Sequence, residues 1–174
     1  GMDTLVRAFA RVAPGHPELR LRIAGRGAPR ERRRLQDLVA GAGIGERTEV
    51  IGDVDEARKG ELLRRALFAC MPSRYEGWGI AAVEAQAAGK AVLGTRIPGL
   101  IDAVRDGVTG VLVAPGQVDD LARGMEQLLA GPERRREMGR QARQWARRFD
   151  WDRIAHEQEA VLERAAEENG RSAS

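Results

Sequence analysis

Two glutamates, Glu76 and Glu84, stand eight positions apart across a glycine-rich turn. Residues 67–71 form a short apolar run closed by a proline, which is typical of a buried parallel strand, and good helix formers follow Gly79. The turn with Gly77 and Gly79 is therefore expected to lead from a strand into a helix. Because the first N–H groups of a helix lack partners within it and the helix dipole is positive there, this turn predicts a diphosphate site. The glycines let the backbone approach the phosphates closely.

The two carboxylates can serve opposite ends of a ligand bound at this turn. At 1.5 Å per residue, Glu84 is expected roughly 9 Å along the helix axis from Trp78. An ionised carboxylate only accepts hydrogen bonds, and vicinal sugar hydroxyls are paired donors. The spacing thus favours a sugar-nucleotide site in which Glu76 holds a hexose and Glu84 holds a ribose. The alternative, that both are ordinary solvated glutamates, applies to most pairs at this spacing, and the neighbouring residues decide against it here.

The residues around the two glutamates resemble the C-terminal nucleotide-binding domain of retaining GT-B glycosyltransferases of family 4. The matching segments are Pro72-Ser73-x-x-Glu76-Gly77-Trp78-Gly79, with Trp in place of the usual Phe, and Glu84-Ala85-Gln86-Ala87-Ala88-Gly89-Lys90-Ala91-Val92. Residues 94–99 and 106–116 resemble two further family segments in the same order, and Arg148-Phe149-Asp150-Trp151 resembles the family's Phe-Ser-Trp. The resemblance extends over nearly the whole chain.

This resemblance implies transfer of a sugar from a nucleoside-diphosphate sugar to a hydroxyl acceptor, with retention of configuration and with no cofactor or metal. Glu76 would be the catalytic residue that positions the sugar, and Glu84 would hold the ribose. Sugar and phosphate would be bound by Gly25, Gly27, Gly77, Trp78, Gly79 and Ile80, and the base would lie beside Gly52, Asp53 and Val54. Ser73, Arg74 and Thr95 are candidates for the pocket wall, although a strand-end hydroxyl such as that of Thr95 equally suits a helix cap.

Strands and helices are predicted to alternate along the chain, which implies a Rossmann-like, doubly wound parallel sheet, the second half of a GT-B fold. The predicted strands are at residues 19–23, 48–51, 67–71, 91–93 and 111–113. The predicted helices are at residues 5–12, 29–42, 62–66, 80–88, 99–104, 118–129, 132–148 and 152–167. Residues 1–150 would form the donor-binding domain, and residues 151–174 a terminal helix and tail that pack back on an absent N-terminal domain.

The start of the chain departs from the family pattern. Members usually carry a strand and then an Arg and a Lys, which clamp the donor diphosphate, before a Gly-x-Asp-x-Leu segment. In this chain residues 1–5 are that Gly-x-Asp-x-Leu segment, and no strand or Arg and Lys pair comes before it in the sequence. We therefore expect a fragment of a longer enzyme, inactive or nearly so by itself, whose acceptor site lies in the other domain. In a 3-2-1-4-5-6 strand order the absent strand is central, so the strands at 19–23 and 67–71 would have unpaired edges. Another segment of the parent, a partner chain or a rearranged strand is expected to fill that gap.

Length and composition indicate one globular domain of 174 residues, with no apolar run long enough for a membrane span. We expect the protein in the cytoplasm. The arginine runs at 30–34 and 134–136 are interleaved with glutamate and lack aromatic neighbours, so solvated helix faces are favoured over nucleic-acid binding. The same faces could lightly attract an anionic membrane surface. The single cysteine, Cys70, is predicted to be a buried hydrophobe, and His16 and His156 have no metal-ligand spacing.

Two other functions remain open at this point, a non-hydrolysing sugar-nucleotide epimerase and a non-catalytic module that binds a nucleotide sugar. Ser73 lacks the Gly-x-Ser-x-Gly surroundings of a nucleophilic serine. Trp145, Phe149 and Trp151 are predicted to form a cluster that docks the terminal helices. Nothing in the sequence decides between UDP, GDP and ADP, and neither the transferred sugar nor the acceptor is specified.

Overall fold

The computed structural model describes residues 1–150, 155 and 158–164. The strands are β1 (Leu21–Ala24), β2 (Thr48–Gly52), β3 (Ala69–Met71), β4 (Val92–Thr95) and β5 (Gly110–Val113). The helices are α1 (Met2–Val12), α2 (Pro29–Gly41), α3 (Glu56–Arg65), α4 (Ile80–Ala87), α5 (Leu100–Ala103), α6 (Val118–Ala130) and α7 (Pro132–Ala146). Short 3₁₀ turns follow at Ala13–Gly15, Gly45–Arg47 and Arg147–Phe149. The predicted alternation of strands and helices is confirmed.

All strand pairs are parallel, and they form two sheets rather than one. β1 pairs with β2, and the other sheet has the order β3-β4-β5. These neighbours agree with the predicted order, and the break falls between β1 and β3, where the sequence predicts an absent central strand. Within the described ranges no strand pairs with β3 on its side away from β4, or with β1 on its side away from β2. That some other segment fills this position stays a prediction.

Helix α1 holds the two sheets together through one apolar cluster. Its inner face buries Leu5, Val6, Phe9 and Val12 almost completely and packs against α6. Partly buried side chains from β1 and from the β3 region pack against the same cluster, namely Leu21, Ile23, Phe68 and Cys70. Each large apolar side chain that folding buries contributes about 1.5–3 kcal/mol, so the packing of α1 is a substantial link between the two sheets.

Two glycines let helices α6 and α7 approach the sheet and α4. A β-carbon on Gly124 of α6 would lie 2.5 Å from Leu93 Cδ1, and one on Gly139 of α7 would lie 2.3 Å from the carbonyl oxygen of Gly89. Gly89 comes directly after the last turn of α4. The backbone of α7 therefore touches the carboxyl-terminal end of α4 and supports the helix that carries Glu84.

The outer edge of β5 is blocked by side chains. The N–H of Leu112 donates a hydrogen bond to Asp106 Oδ1 at 2.9 Å, and Arg96 Nη2 donates to the carbonyl oxygen of Leu112 at 3.2 Å. Arg96 and Asp106 also form an ion pair. Burial raises the pKa of the Asp106 carboxyl, but the hydrogen bonds from Leu112 and Arg96 outweigh it and hold the pKa below its usual value. A peptide strand adding to this edge would have to displace both side chains.

The predicted strand at 67–71 is shorter in the structure. Only Ala69–Met71 pairs with β4, and Leu67 is 51% exposed. Cys70 as a residue is only partly buried, yet desolvation raises the pKa of its thiol to about 12, so the thiol stays protonated at neutral pH. Of the predicted terminal helix at 152–167, residues 155 and 158–164 are helical and the rest lies outside the described residues. In the part of the chain that is described, no helix is long and apolar enough to cross a bilayer.

Candidate functional site

The glycine loop, residues 73–79, connects β3 to α4. Gly79 precedes the first turn of α4 with φ +71° and ψ +35°, a left-handed conformation that residues with a β-carbon seldom adopt. A β-carbon at Gly79 would also lie 3.0 Å from the carbonyl oxygen of Gly99 and 3.1 Å from Ala103 Cβ. Glycine is thus required here both by conformation and by space, and the loop delivers its backbone to the amino terminus of α4, as the sequence predicts.

A second glycine, in the turn before α5, lets the chain pack against the backbone of the loop. Gly99 has φ +82°, and a β-carbon on it would lie 2.6 Å from the carbonyl oxygen of Glu76 and 2.9 Å from that of Gly77. The turn before α5 therefore touches the backbone of the glycine loop directly. The sequence marks this segment by its resemblance to the family, but the contact itself joins residues more than 20 positions apart and carries no local signal.

The side chain of Glu76 is partly buried and braced by neighbours that the sequence predicts as pocket residues. Ser73 Oγ donates a hydrogen bond to Glu76 Oε2 at 3.4 Å. The hydroxyl of Thr95, a residue 2% exposed, donates to the carbonyl oxygen of Ser73. Thr95 therefore braces the loop backbone rather than capping a helix. Arg74 Nη2 pairs with Asp3 Oδ2 at 2.7 Å, which ties the loop to the first turn of α1.

Glu84 lies one and a half turns into α4 and is paired with a lysine that the sequence gives no reason to select. Lys59 Nζ of α3 lies 2.6 Å from Glu84 Oε1 and 2.9 Å from Glu56 Oε1. The hydrogen bond to Glu84, and then that to Glu56, raise the pKa of Lys59 above its usual value. Lys59 restrains the Glu84 carboxylate through one oxygen, which leaves its other oxygen to accept from a ligand.

The carboxyl ends of β1 and β2 bring Gly25, predicted to bind sugar and phosphate, next to the residues predicted to lie beside the base. The N–H of Gly25 donates to the carbonyl oxygen of Gly52 at 2.7 Å. Arg26 Nε lies 3.4 Å from Asp53 Oδ1. Gly52 has φ +82°, and the Arg32 guanidinium lies 2.8 Å from where its β-carbon would be. One arginine of the run at 30–34, predicted as a solvated face, therefore reaches the edge of the candidate site.

The remaining predicted binding residues lie on the same edge. Gly27 follows Gly25 in the exposed turn before α2, Val54 is partly buried after β2, and Ile80 is the exposed first residue of α4. Since the strands within each sheet are parallel, the segments that follow β1 and β2 lie at the carboxyl edge of one sheet and those that follow β3 and β4 at the carboxyl edge of the other, where α/β proteins bind ligands.

Three aromatic rings connect the glycine loop to the end of α7. Trp78 and Phe149 meet edge to face with ring centroids 4.9 Å apart, and Phe149 meets Trp145 in the same manner at 5.5 Å. The predicted contact between Trp145 and Phe149 is present, Trp78 joins it unexpectedly, and Trp151 lies outside the described residues. Trp145 Nε1 donates to the carbonyl oxygen of Ala103 at 2.9 Å.

Other features of the surface do not coincide with this edge. An open cleft of about 450 Å³ lies beside β5 and α6, where Leu112, Asp120 and Arg123 line it. Across the described ranges, no three His, Cys, Asp or Glu side chains gather closely enough to hold a metal ion. That the domain needs no metal or cofactor stays a prediction.

Comparison with known proteins gives a consistent family. The family model described as glycosyl transferases group 1 matches residues 1–145. The chain is 35% identical over 173 residues to D-inositol 3-phosphate glycosyltransferase 2 of Catenulispora acidiphila, covering 95% of this chain and 40% of that protein. It is 35% identical over 156 residues to a glycogen synthase of Mycobacterium tuberculosis, covering 89% and 37%. The chain thus spans about 40% of the length of these curated relatives.

Solved structures show the same fold. Sucrose-phosphate synthase of Thermosynechococcus elongatus superposes with a TM-score of 0.86 at 30% identity, covering 95% of this chain and 42% of that one. The Anabaena protein HepE, solved in complex with UDP-glucose, superposes with a TM-score of 0.84 at 23% identity, covering 94% and 45%. The α/β fold with parallel sheets is therefore the Rossmann-like half of a GT-B fold.

Proposed function

The chain belongs to the glycosyl transferases group 1 family, and from that premise we propose that it is the C-terminal donor-binding domain of a retaining family 4 glycosyltransferase. Its parent would transfer a sugar from a nucleoside-diphosphate sugar to a hydroxyl acceptor. One observation carries the proposal: the glycine loop brings Glu76 and the amino terminus of α4 together at the carboxyl edge of β3, with Glu84 farther along the same helix.

The diphosphate would lie against the glycine loop. Gly77 and Gly79 bring the loop backbone to the amino terminus of α4, which adds the positive end of its dipole, an effect worth about 0.3–1 kcal/mol for an exposed anion and more when partly buried. When the nucleotide leaves, negative charge develops on the β-phosphate, and donors already held at that place stabilise it without rearranging. The leaving phosphate can take the acceptor proton on the same face of the sugar, so this domain needs no separate base.

The two carboxylates divide the rest of the donor between them. Glu76, braced by Ser73, would accept hydrogen bonds from the sugar hydroxyls and hold the anomeric carbon in place for attack. Glu84, restrained by Lys59, would accept from the ribose. The base would then lie beyond the ribose, near Gly52 and Asp53 at the end of β2.

The activity of the whole protein depends on more than these residues, because the chain spans about 40% of its curated relatives. We infer that the acceptor is bound by an N-terminal domain of the parent, onto which residues 151–174 pack back, and that the isolated chain binds donor without appreciable transfer. The parent would act in the cytoplasm, with the arginine-rich helix faces able to touch an anionic membrane surface weakly. A non-catalytic binding module would share this donor geometry, and turnover by the intact parent separates the two.

The first test is thermal stabilisation of the chain by UDP, GDP, ADP and their sugar conjugates, in the wild type and in Glu84→Ala. Ligand at 100 times its dissociation constant adds about 2.7 kcal/mol to the free energy of unfolding. We expect one base to stabilise the chain and the effect to shrink in Glu84→Ala but not in Glu46→Ala, a control in an exposed turn at the opposite end of β2. A chain that none of these nucleotides stabilises would contradict the proposal.

A further inference from the structure

We propose that Phe149 and Trp145 are positioning residues for the glycine loop, acting through Trp78 and Ala103. The inference rests on the proposed function, since the loop matters as the seat of the donor diphosphate. Both aromatic residues lie outside that seat, at the end of α7 and in the 3₁₀ turn that follows it. They touch no part of the predicted ligand, yet the loop is attached to them at two places.

The first attachment is the ring of Trp78. Glycines flank this residue on both sides, and glycine loses more backbone freedom on ordering than any other residue, so the loop needs an external contact to hold one conformation. Trp78 is 38% exposed, and its ring meets Phe149 edge to face at 4.9 Å and 84°. This is a geometry that aromatic pairs prefer. The ring contact therefore restrains the residue that lies between the two glycines of the loop.

The second attachment lies beneath the loop. The backbone of Gly79 packs against Ala103, with 3.1 Å between Ala103 Cβ and the place of a β-carbon on Gly79. The carbonyl oxygen of Ala103 accepts two hydrogen bonds, from Trp145 Nε1 at 2.9 Å and from Gln86 Nε2 at 2.9 Å. Trp145 thus restrains Ala103, the residue against which the end of the loop packs.

Both attachments end at the same residue. Trp145 contacts Phe149, with ring centroids 5.5 Å apart, and also donates the hydrogen bond to Ala103. The contacts of Trp78 and of Gly79 therefore both lead to Trp145. The guanidinium groups of Arg105 and Arg148 lie 5.3 Å and 5.0 Å from the Trp145 ring centroid and hold that ring in turn. The end of α7 therefore determines where the loop N–H groups point.

The test that needs no ligand is amide hydrogen exchange of the chain. Phe149→Leu removes the ring contact and keeps an apolar side chain. It should speed exchange about fivefold, relative to α6, at Ala82 and Val83, whose N–H groups donate to the carbonyl oxygen of Gly79; this is the change expected for loss of one aromatic pair. Phe149→Tyr should restore protection. Phe9→Leu makes the same chemical change in the buried face of α1, and it should speed exchange broadly without singling out the loop. Unchanged exchange at Ala82 and Val83 in Phe149→Leu, or an increase no larger there than in Phe9→Leu, would overturn the proposal.

Calorimetry with nucleotides then connects the loop to the donor. Because the loop N–H groups would face the phosphates in the proposed complex, Phe149→Leu should reduce the preference of the chain for UDP over UMP about fivefold, whereas Phe9→Leu should leave that preference unchanged. An unaltered preference in Phe149→Leu would refute the positioning role for the diphosphate. If the wild-type chain binds none of UDP, GDP and ADP, the proposed function fails, and the exchange experiment still decides whether Phe149 anchors the loop.

Discussion

The sharpest consequence of the proposed site concerns Glu84 and the ribose hydroxyls. Glu84→Ala should weaken UDP binding by about 10- to 30-fold, because hydrogen bonds to a charged group contribute about 1.5–3 kcal/mol and the side chain is 36% exposed, which favours the lower part of that range. The fold itself should lose about 1 kcal/mol or less. Lys59 keeps Glu56 as a partner at 2.9 Å, so the substitution leaves no unpaired buried charge.

A cycle of two proteins and two ligands isolates that contact. Calorimetry with UDP and with 2′,3′-dideoxy-UDP on wild type and Glu84→Ala gives four binding free energies. In the wild type, removal of the ribose hydroxyls should weaken binding as much as Glu84→Ala does, and in Glu84→Ala it should have almost no further effect. Glu84→Gln keeps an oxygen acceptor without the charge and should fall between the two proteins. If the dideoxy ligand binds Glu84→Ala about tenfold more weakly than UDP does, Glu84 does not hold the ribose and the reasoning is wrong.

Three further outcomes are expected. Gly124→Ala should lower the free energy of unfolding, measured in urea, by about 2 kcal/mol, since the new methyl group would lie 2.5 Å from Leu93 Cδ1. Gly60→Ala, in the interior of α3 with the nearest atom 3.6 Å away, should instead raise it by about 0.5–1 kcal/mol. Since the pKa of Asp106 is held below its usual 3.8, its contribution to stability is present above that pH and lost as the pH falls further, so Asp106→Asn should flatten the acid limb of the stability curve measured by thermal unfolding between pH 2 and 5. Because the pKa of Lys59 in the folded chain is raised above 10.5, its contribution to stability is complete below pH 10.5 and is lost as the pH rises through that raised pKa. Lys59→Met should therefore remove a loss of stability that the wild type shows above pH 10.5.

Local patterns account for the elements and for the position of the loop. The apolar run before Pro72, the glycines at 77 and 79 and the helix formers after them lie within about twenty residues, so each sets its own backbone. The prediction holds to within one or two residues at most boundaries. α3 is the largest exception, because it begins at Glu56 and not at the predicted residue 62. β3 begins two residues later than predicted. Its length depends on pairing with β4 on one side only, and Leu67 therefore lies outside the strand although its residue type suits one.

The contacts that complete the site could not be predicted in the same way. Lys59 and Glu84 are 25 positions apart, and Trp78 and Phe149 are 71 apart. Lys59 lies in a charged helix where any of several basic residues could have faced α4, and the turn of that helix toward α4 is decided by packing across the fold. The same holds for Arg32, one of four arginines in the run at 30–34. Periodicity predicts which residues share a helix face, but it does not predict which part of the fold that face contacts.

The two halves of the candidate site belong to different sheets, and this limits how firmly the chain alone can hold a donor. Gly52 and the base side follow β2, whereas Glu76 and Glu84 follow β3, and no described strand of one sheet pairs with the other. The sheets are joined by the packing of α1 and by the ion pair between Asp3 and Arg74, whose side chains are 44% and 61% exposed. A strand between β1 and β3 would add backbone hydrogen bonds on both sides and fix the spacing of the two halves. If the proposed parent enzyme supplies such a strand, its affinity for a nucleotide is expected to exceed that of this chain, and the difference should be largest for ligands that span both halves.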